Sequence, residues 1–149
     1  MLRPNYRAPG ETGKAPVLCT PAHTMKQPTS LVFVCQNLRD PDDPKGSCTR
    51  RGSKAVLEHM KGVRMQLGLK AELRVMGATC LGPCESGVNV LVVDGAGPTF
   101  YGRMDPALGE ALIRERIAGS GASEALERHR LRTDDLLDLS GLASEDPQA

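Results

Sequence analysis

Apolar residues fall in short runs whose period changes along the chain. Leu31, Val32, Phe33 and Val34 form an uninterrupted run ending at Cys35, as a buried strand does. Gln36 to Ser47 is rich in Asp, Pro and Gly and predicts a loop, which Cys48 closes. From about Gly52 to Gly68 the residues Val56, Met60, Val63 and Leu67 recur at spacings of four, three and four, on one face of an amphipathic helix. Leu73 and Val75 alternate with Glu72 and Arg74 as a half-buried strand should, and Gly77 leads into a loop carrying Cys80 and Cys84.

Val88 to Val93 predicts a further strand. Asp94 to Pro98 reads as a turn, and Thr99 to Arg103 returns antiparallel beside that strand. Asp105 is placed to cap a helix with Pro106 at its first position, Leu108, Ala111 and Leu112 on its apolar face, and Gly119 beyond its end. The order strand, helix, strand, strand, strand, helix predicts a small α/β domain: a right-handed crossover, a hairpin and a covering helix. Ser123 to Arg130 are expected to extend the last helix, with Leu136, Leu137 and Leu139 forming an apolar patch beyond it.

A chain of 149 residues that is 40% hydrophobic suits one domain. Residues 1–29 hold five Pro and no sustained period, and are expected to be a disordered or loosely docked arm. Residues 30–118 form the domain, and residues 119–149 an acidic, partly helical extension with seven acids against three Arg. The domain itself holds twelve basic and ten acidic side chains, so it offers no polyanion-binding surface. With no Trp and 3% aromatic residues there is no base-stacking platform either, and nucleic acid is not an expected partner. No apolar run approaches the ~20 residues of a membrane span, and no secretory leader is apparent, so a cytoplasmic, membrane-free location is expected.

The chemistry lies in the cysteines. Of five, Cys35, Cys48, Cys80 and Cys84 form a spaced set, with twelve, thirty-one and three residues between successive members. In a reducing compartment such a set favours metal or redox use over disulfides. Four soft thiolates, two per iron, meet the needs of a 2Fe-2S cluster. Gly77, Gly82 and Gly87 suit close backbone approach to its sulfurs, or serve only as turns. Zinc also accepts four thiolates, although the usual C-x2-C knuckles are missing. A thiol-disulfide enzyme using Cys80 and Cys84 is a further alternative, although its usual spacing is C-x-x-C. Cys19 and His23 in the Pro-rich arm are expected to bind nothing, His59 and His129 to sit on exposed helix faces, and Gly10 to Lys14 lacks the spacing of a phosphate loop. Arg39, Lys45, Arg50 and Arg51, mixed with Asp40, Asp42 and Asp43, are either a solvated loop or the contact zone of a redox partner.

Over residues 30–118 the chain resembles the thioredoxin-like 2Fe-2S ferredoxins, which are similar to the small iron-sulfur subunit of respiratory complex I. The resemblance rests on a cysteine ending the first strand, a second about a dozen residues on, and the distant C-x3-C pair Cys80-Leu81-Gly82-Pro83-Cys84. It implies a thioredoxin-like fold with a small four-stranded mixed sheet and two main helices. It further implies one 2Fe-2S cluster near the surface on Cys35, Cys48, Cys80 and Cys84, and one-electron exchange with a protein donor and acceptor. A homodimer is frequent in that family, and no catalytic activity is expected.

Overall fold

Parallel pairing of β1 (Ser30–Cys35) with β2 (Leu73–Ala78), joined by α1 (Ser53–Gln66), sets the frame of the computed structural model, which describes residues 26–132. β3 (Val90–Asp94) lies antiparallel on the other side of β1, and β4 (Gly97–Tyr101) antiparallel to β3, giving a four-stranded mixed sheet in the order β2-β1-β3-β4. The helix α2 (Pro106–Ala111) continues through wider π-type turns (Leu112–Ile117), and a short α3 (Glu124–Glu127) follows.

Each strand buries alternate residues. Val32, Val34, Leu73, Val75, Val90, Val92 and Tyr101 meet Val56, Leu57, Met60 and Val63 of α1 and Leu112 and Ile113 after α2 in one core. The four-three-four face read from the sequence is therefore the buried face of α1, with Leu67 packed at its margin. Asp105 caps α2 by accepting from Leu108 N at 2.8 Å, with Pro106 first in the helix. Gly109 lets α2 approach α1 closely, since a Cβ there would stand 2.8 Å from Met60 Cγ.

Several boundaries differ from the sequence expectation. Gly77 belongs to β2, which runs to Ala78. Val88 and Asn89 precede β3. β4 starts at Gly97 because Gly95 and Ala96 alone make the turn, with Ala96 N donating to Asp94 Oδ1 at 3.0 Å and Gly97 at φ 94°. Pro98 thus sits inside a strand, tolerated because β4 ends the four-stranded ladder. Ser123 to Arg130 do not extend α2: Ser123 caps the separate α3, whose Leu126 is fully buried in the core. Beyond α3 the chain bridges β4 at Tyr101 and Arg130. His129 lies in that turn rather than on an exposed helix face, half-buried with Nδ1 3.0 Å from the Gly102 carbonyl. His59 is on the exposed face of α1, 2.9 Å from Glu110. Cys19, His23, Gly10 to Lys14 and the Leu136–Leu139 patch lie outside the described residues.

Candidate metal centre

The register of the parallel pair brings the four cysteines to one end of the sheet. Cys35, the last residue of β1, pairs with Ala78, the last of β2, so Cys80 lies two residues beyond a shared strand end. Cys35 ends β1, as the apolar run predicts, whereas Cys84 opens a 3-10 turn (Cys84–Ser86) within the expected loop.

Cys48 is brought back to Cys35 by the residues flanking it. Ser47 Oγ donates to the Asn37 carbonyl at 2.8 Å, Thr49 Oγ1 to the Gln36 carbonyl at 2.9 Å, and Thr49 N to the Asn37 carbonyl at 3.2 Å. The Cys48 carbonyl in turn accepts from Ser53 N at 3.0 Å, fixing the cysteine against the start of α1. A twelve-residue loop is thereby folded so that its two ends meet, and the Cys48 thiol hydrogen-bonds with that of Cys35.

The second pair is set by its own turn. Gly82 takes φ 111°, a backbone state that favours glycine, and its carbonyl accepts from Cys84 N at 2.8 Å. Its N–H donates to the Cys80 sulfur. Cys80 and Cys84 Sγ stand 3.2 Å apart, both reduced. Arg51 Nη1 donates to the Cys84 carbonyl at 2.6 Å and ties this turn to the first residues after Cys48.

Asn89, fully buried, joins three of the four cysteine segments. Its backbone N–H donates to Cys48 Sγ, its carbonyl accepts from Cys35 N at 3.0 Å, and its Nδ2 donates to the Pro83 carbonyl at 2.6 Å. Sequence reading did not single out Asn89, Ser47 or Thr49 as parts of the site. The signal available was a polar residue at the head of an apolar run, and hydroxyl residues on both sides of a cysteine. Of the three glycines proposed for close approach, Gly87 fits best, since a Cβ there would meet Cys48 Sγ at 2.8 Å. At Gly82 the space is open and the conformation is the constraint, while at Gly77 the neighbours are Gln36 and Leu57.

Burial pushes the Cys48 thiol up to about 11 and also raises Cys84, whereas Cys80, exposed and hydrogen-bonded by Cys84 and Gly82, is lowered. In metal-free protein at mildly alkaline pH, iodoacetamide therefore labels Cys80 well ahead of Cys48. Peptide mass mapping with equal labelling of these two would contradict the geometry.

No protein-family model matches the chain. A curated relative named "Ferredoxin, 2Fe-2S", from Aquifex aeolicus strain VF5, is 30% identical over 97 residues, which span 64% of this chain and 85% of the relative. The crystal structure of the wild-type thioredoxin-like [2Fe-2S] ferredoxin from Aquifex aeolicus superposes with a TM-score of 0.63 at 25% identity, covering 72% of this chain and all (100%) of that one. A cysteine-to-serine variant of the same ferredoxin gives a TM-score of 0.61 at 26% identity, covering 70% of this chain and 99% of the other.

Proposed function

Because this chain belongs to the thioredoxin-like [2Fe-2S] ferredoxins, we propose that Cys35, Cys48, Cys80 and Cys84 are the ligands of its 2Fe-2S cluster and that it passes single electrons between protein partners. The carrying observation is the meeting of four reduced cysteines from distant parts of the chain at one sheet end, as the pairs Cys35–Cys48 and Cys80–Cys84.

The residues fit such a group in three ways. The donors are soft thiols in two pairs, as a two-iron cluster needs. The two pairs are not spaced as the C-x2-C knuckles usual in structural zinc sites, which favours the cluster over the zinc alternative. Arg39 Nε, beside the second pair, is a buried donor without a partner among the described residues, and Gly87 leaves Cys48 free of a side chain that would crowd it.

When bound, the cluster supplies reversible one-electron chemistry at low potential. The chain's residues position the ligands and supply charge. N–H groups of Asn89 and Gly82 donate to ligand sulfurs and stabilise negative charge there. The buried Cys35, Cys48 and Cys84 keep most of the site from water, while exposed Cys80 leaves one side open to a partner. Arg39 reaches Cys80 from the first loop, where its neighbour Leu38 is 63% exposed and Lys45 and Arg50 are exposed, which makes a small mixed docking rim for weak, salt-sensitive encounters. Four reduced thiols suit the cytoplasm, and no catalytic activity is assigned. Among the described residues no helix is long and apolar enough to cross a membrane. Residues 30–118 carry the strands, α1, α2 and the proposed ligands, and the domain runs on through α3, whose Leu126 is buried in the core, to the bridge at Arg130.

Stepwise anaerobic reduction with dithionite, followed by visible absorbance, tests the carrier role. One electron per chain bleaches the colour in a single step; uptake of two electrons, as by a dithiol couple, would overturn it.

A homodimer is part of the same proposal. The sheet face opposite the helices carries Met76, Phe33, Leu91 and Phe100 in one cross-strand row, all half-buried. Sedimentation equilibrium is expected to give twice the 15.9 kDa chain mass, and Phe33→Glu to halve it. A wild-type protein sedimenting as single chains would remove the dimer.

A further inference from the structure

The loop between Cys35 and Cys48 carries a cation to the opposite cysteine pair. Arg39 Nη2 lies 3.4 Å from Cys84 Sγ and 3.7 Å from Cys80 Sγ, and Nη1 lies 3.3 Å from Asp43 Oδ2. The third nitrogen, Nε, is buried and has no partner among the described residues. Both groups are held in place. Arg50 Nε donates to the Arg39 carbonyl at 3.1 Å, and Asp43 is oriented by Lys45 N at 2.8 Å on Oδ1 and closes a turn onto the Asp40 carbonyl at 3.1 Å.

Neutral thiols are weak acceptors, and a guanidinium aimed at two of them with one N–H left unpaired is poorly served. The same arrangement is favourable once the sulfurs carry negative charge, because charge-assisted bonds are roughly twice as strong as neutral ones. The Arg39 side chain is also only 27% exposed, so water screens it incompletely.

We propose that Arg39 is a positioning residue that sets the reduction potential of this site: its fixed charge, tempered by Asp43, favours the reduced state. The inference rests on the ligand assignment above. Reduction takes one electron from a protein donor and later yields it to an acceptor, with no bond made or broken, and adds one negative charge to the site. A nearby fixed cation stabilises that added charge, and Asp43 on the far side of the guanidinium partly cancels the effect.

Midpoint potentials measured by EPR-monitored titration on wild type, Arg39→Gln, Arg39→Lys and Asp43→Asn, each with iron and sulfide counted, decide it. Arg39→Gln shifts the equilibrium about tenfold toward the oxidised form, equal to ~59 mV for one electron. Arg39→Lys, which keeps the charge, stays close to wild type, and Asp43→Asn moves the potential upward. An Arg39→Gln protein with a full cluster and the wild-type potential overturns the proposal, as does an Arg39→Lys potential as low as that of Arg39→Gln. Should Arg39→Gln fail to retain iron, Asp43→Asn decides alone, and the absence of an upward shift overturns it. A wild-type protein without iron and sulfide overturns the ligand assignment and this proposal together, whereas an intact cluster with an unmoved potential overturns this proposal alone.

Discussion

Replacing Cys84 by Ala leaves the protein unable to retain its cluster. Iron falls from about two per chain to a small fraction of that, and the visible absorption goes with it. Cys84 is buried and shares a 3.2 Å contact with Cys80, while its backbone is fixed by Gly82 and Arg51, so the fold sets where its sulfur stands. Because a metal group and its fold stabilise one another, the variant also unfolds at lower denaturant. Cys19→Ala is the control, expected to keep full iron. Iron and sulfide analysis checks both, and a Cys84→Ala protein with the wild-type spectrum would remove this residue from the ligand set.

Gly87→Ala is the second large effect, and it acts without touching a ligand's chemistry. The added methyl would stand 2.8 Å from Cys48 Sγ, 2.9 Å from Arg51 Nη1 and 3.2 Å from the Cys84 carbonyl. The arginine tip is able to move; the sulfur and the carbonyl are not, since Cys48 is pinned at the start of α1 and Cys84 within its turn. Relief requires shifting one cysteine pair away from the other. The expected cost is about 1–3 kcal/mol in urea unfolding of the metal-free protein, together with poorer iron retention in the loaded one. Gly62→Ala, on an exposed part of α1 with no atom within 4 Å of a Cβ there, is the matched control and should stabilise slightly. Equal stability and iron content in Gly87→Ala and wild type would show that the close approach at Gly87 does not matter.

Element order and the four cysteines were legible because their signals are local. The run Leu31–Val34, the four-three-four face of α1 and the Asp105-Pro106 start of α2 each satisfy a period or cap within a few residues. Boundaries that depend on tertiary context were not. Pro98 reads as a turn residue until β4 is known to end the ladder, and Leu126 reads as part of a longer helix until its separate cap at Ser123 and its buried place in the core are seen. The proposed ligand set was readable as spacing. What converts spacing into a site was hidden, because Ser47, Thr49, Arg51 and Asn89 act through bonds to backbone atoms distant in sequence. Arg39 was visible only as one charge in a mixed loop; its approach to Cys80 and Cys84 spans more than forty residues of chain.

The most direct test is a low-temperature EPR and visible spectrum of anaerobically purified full-length protein before and after dithionite, with iron, sulfide and zinc counted in the same sample. The account predicts a red-brown protein with about two irons and two sulfides per chain, silent when oxidised and showing a spin-half signal when reduced. A colourless protein holding about one zinc per chain would contradict it and make the four cysteines a structural zinc site.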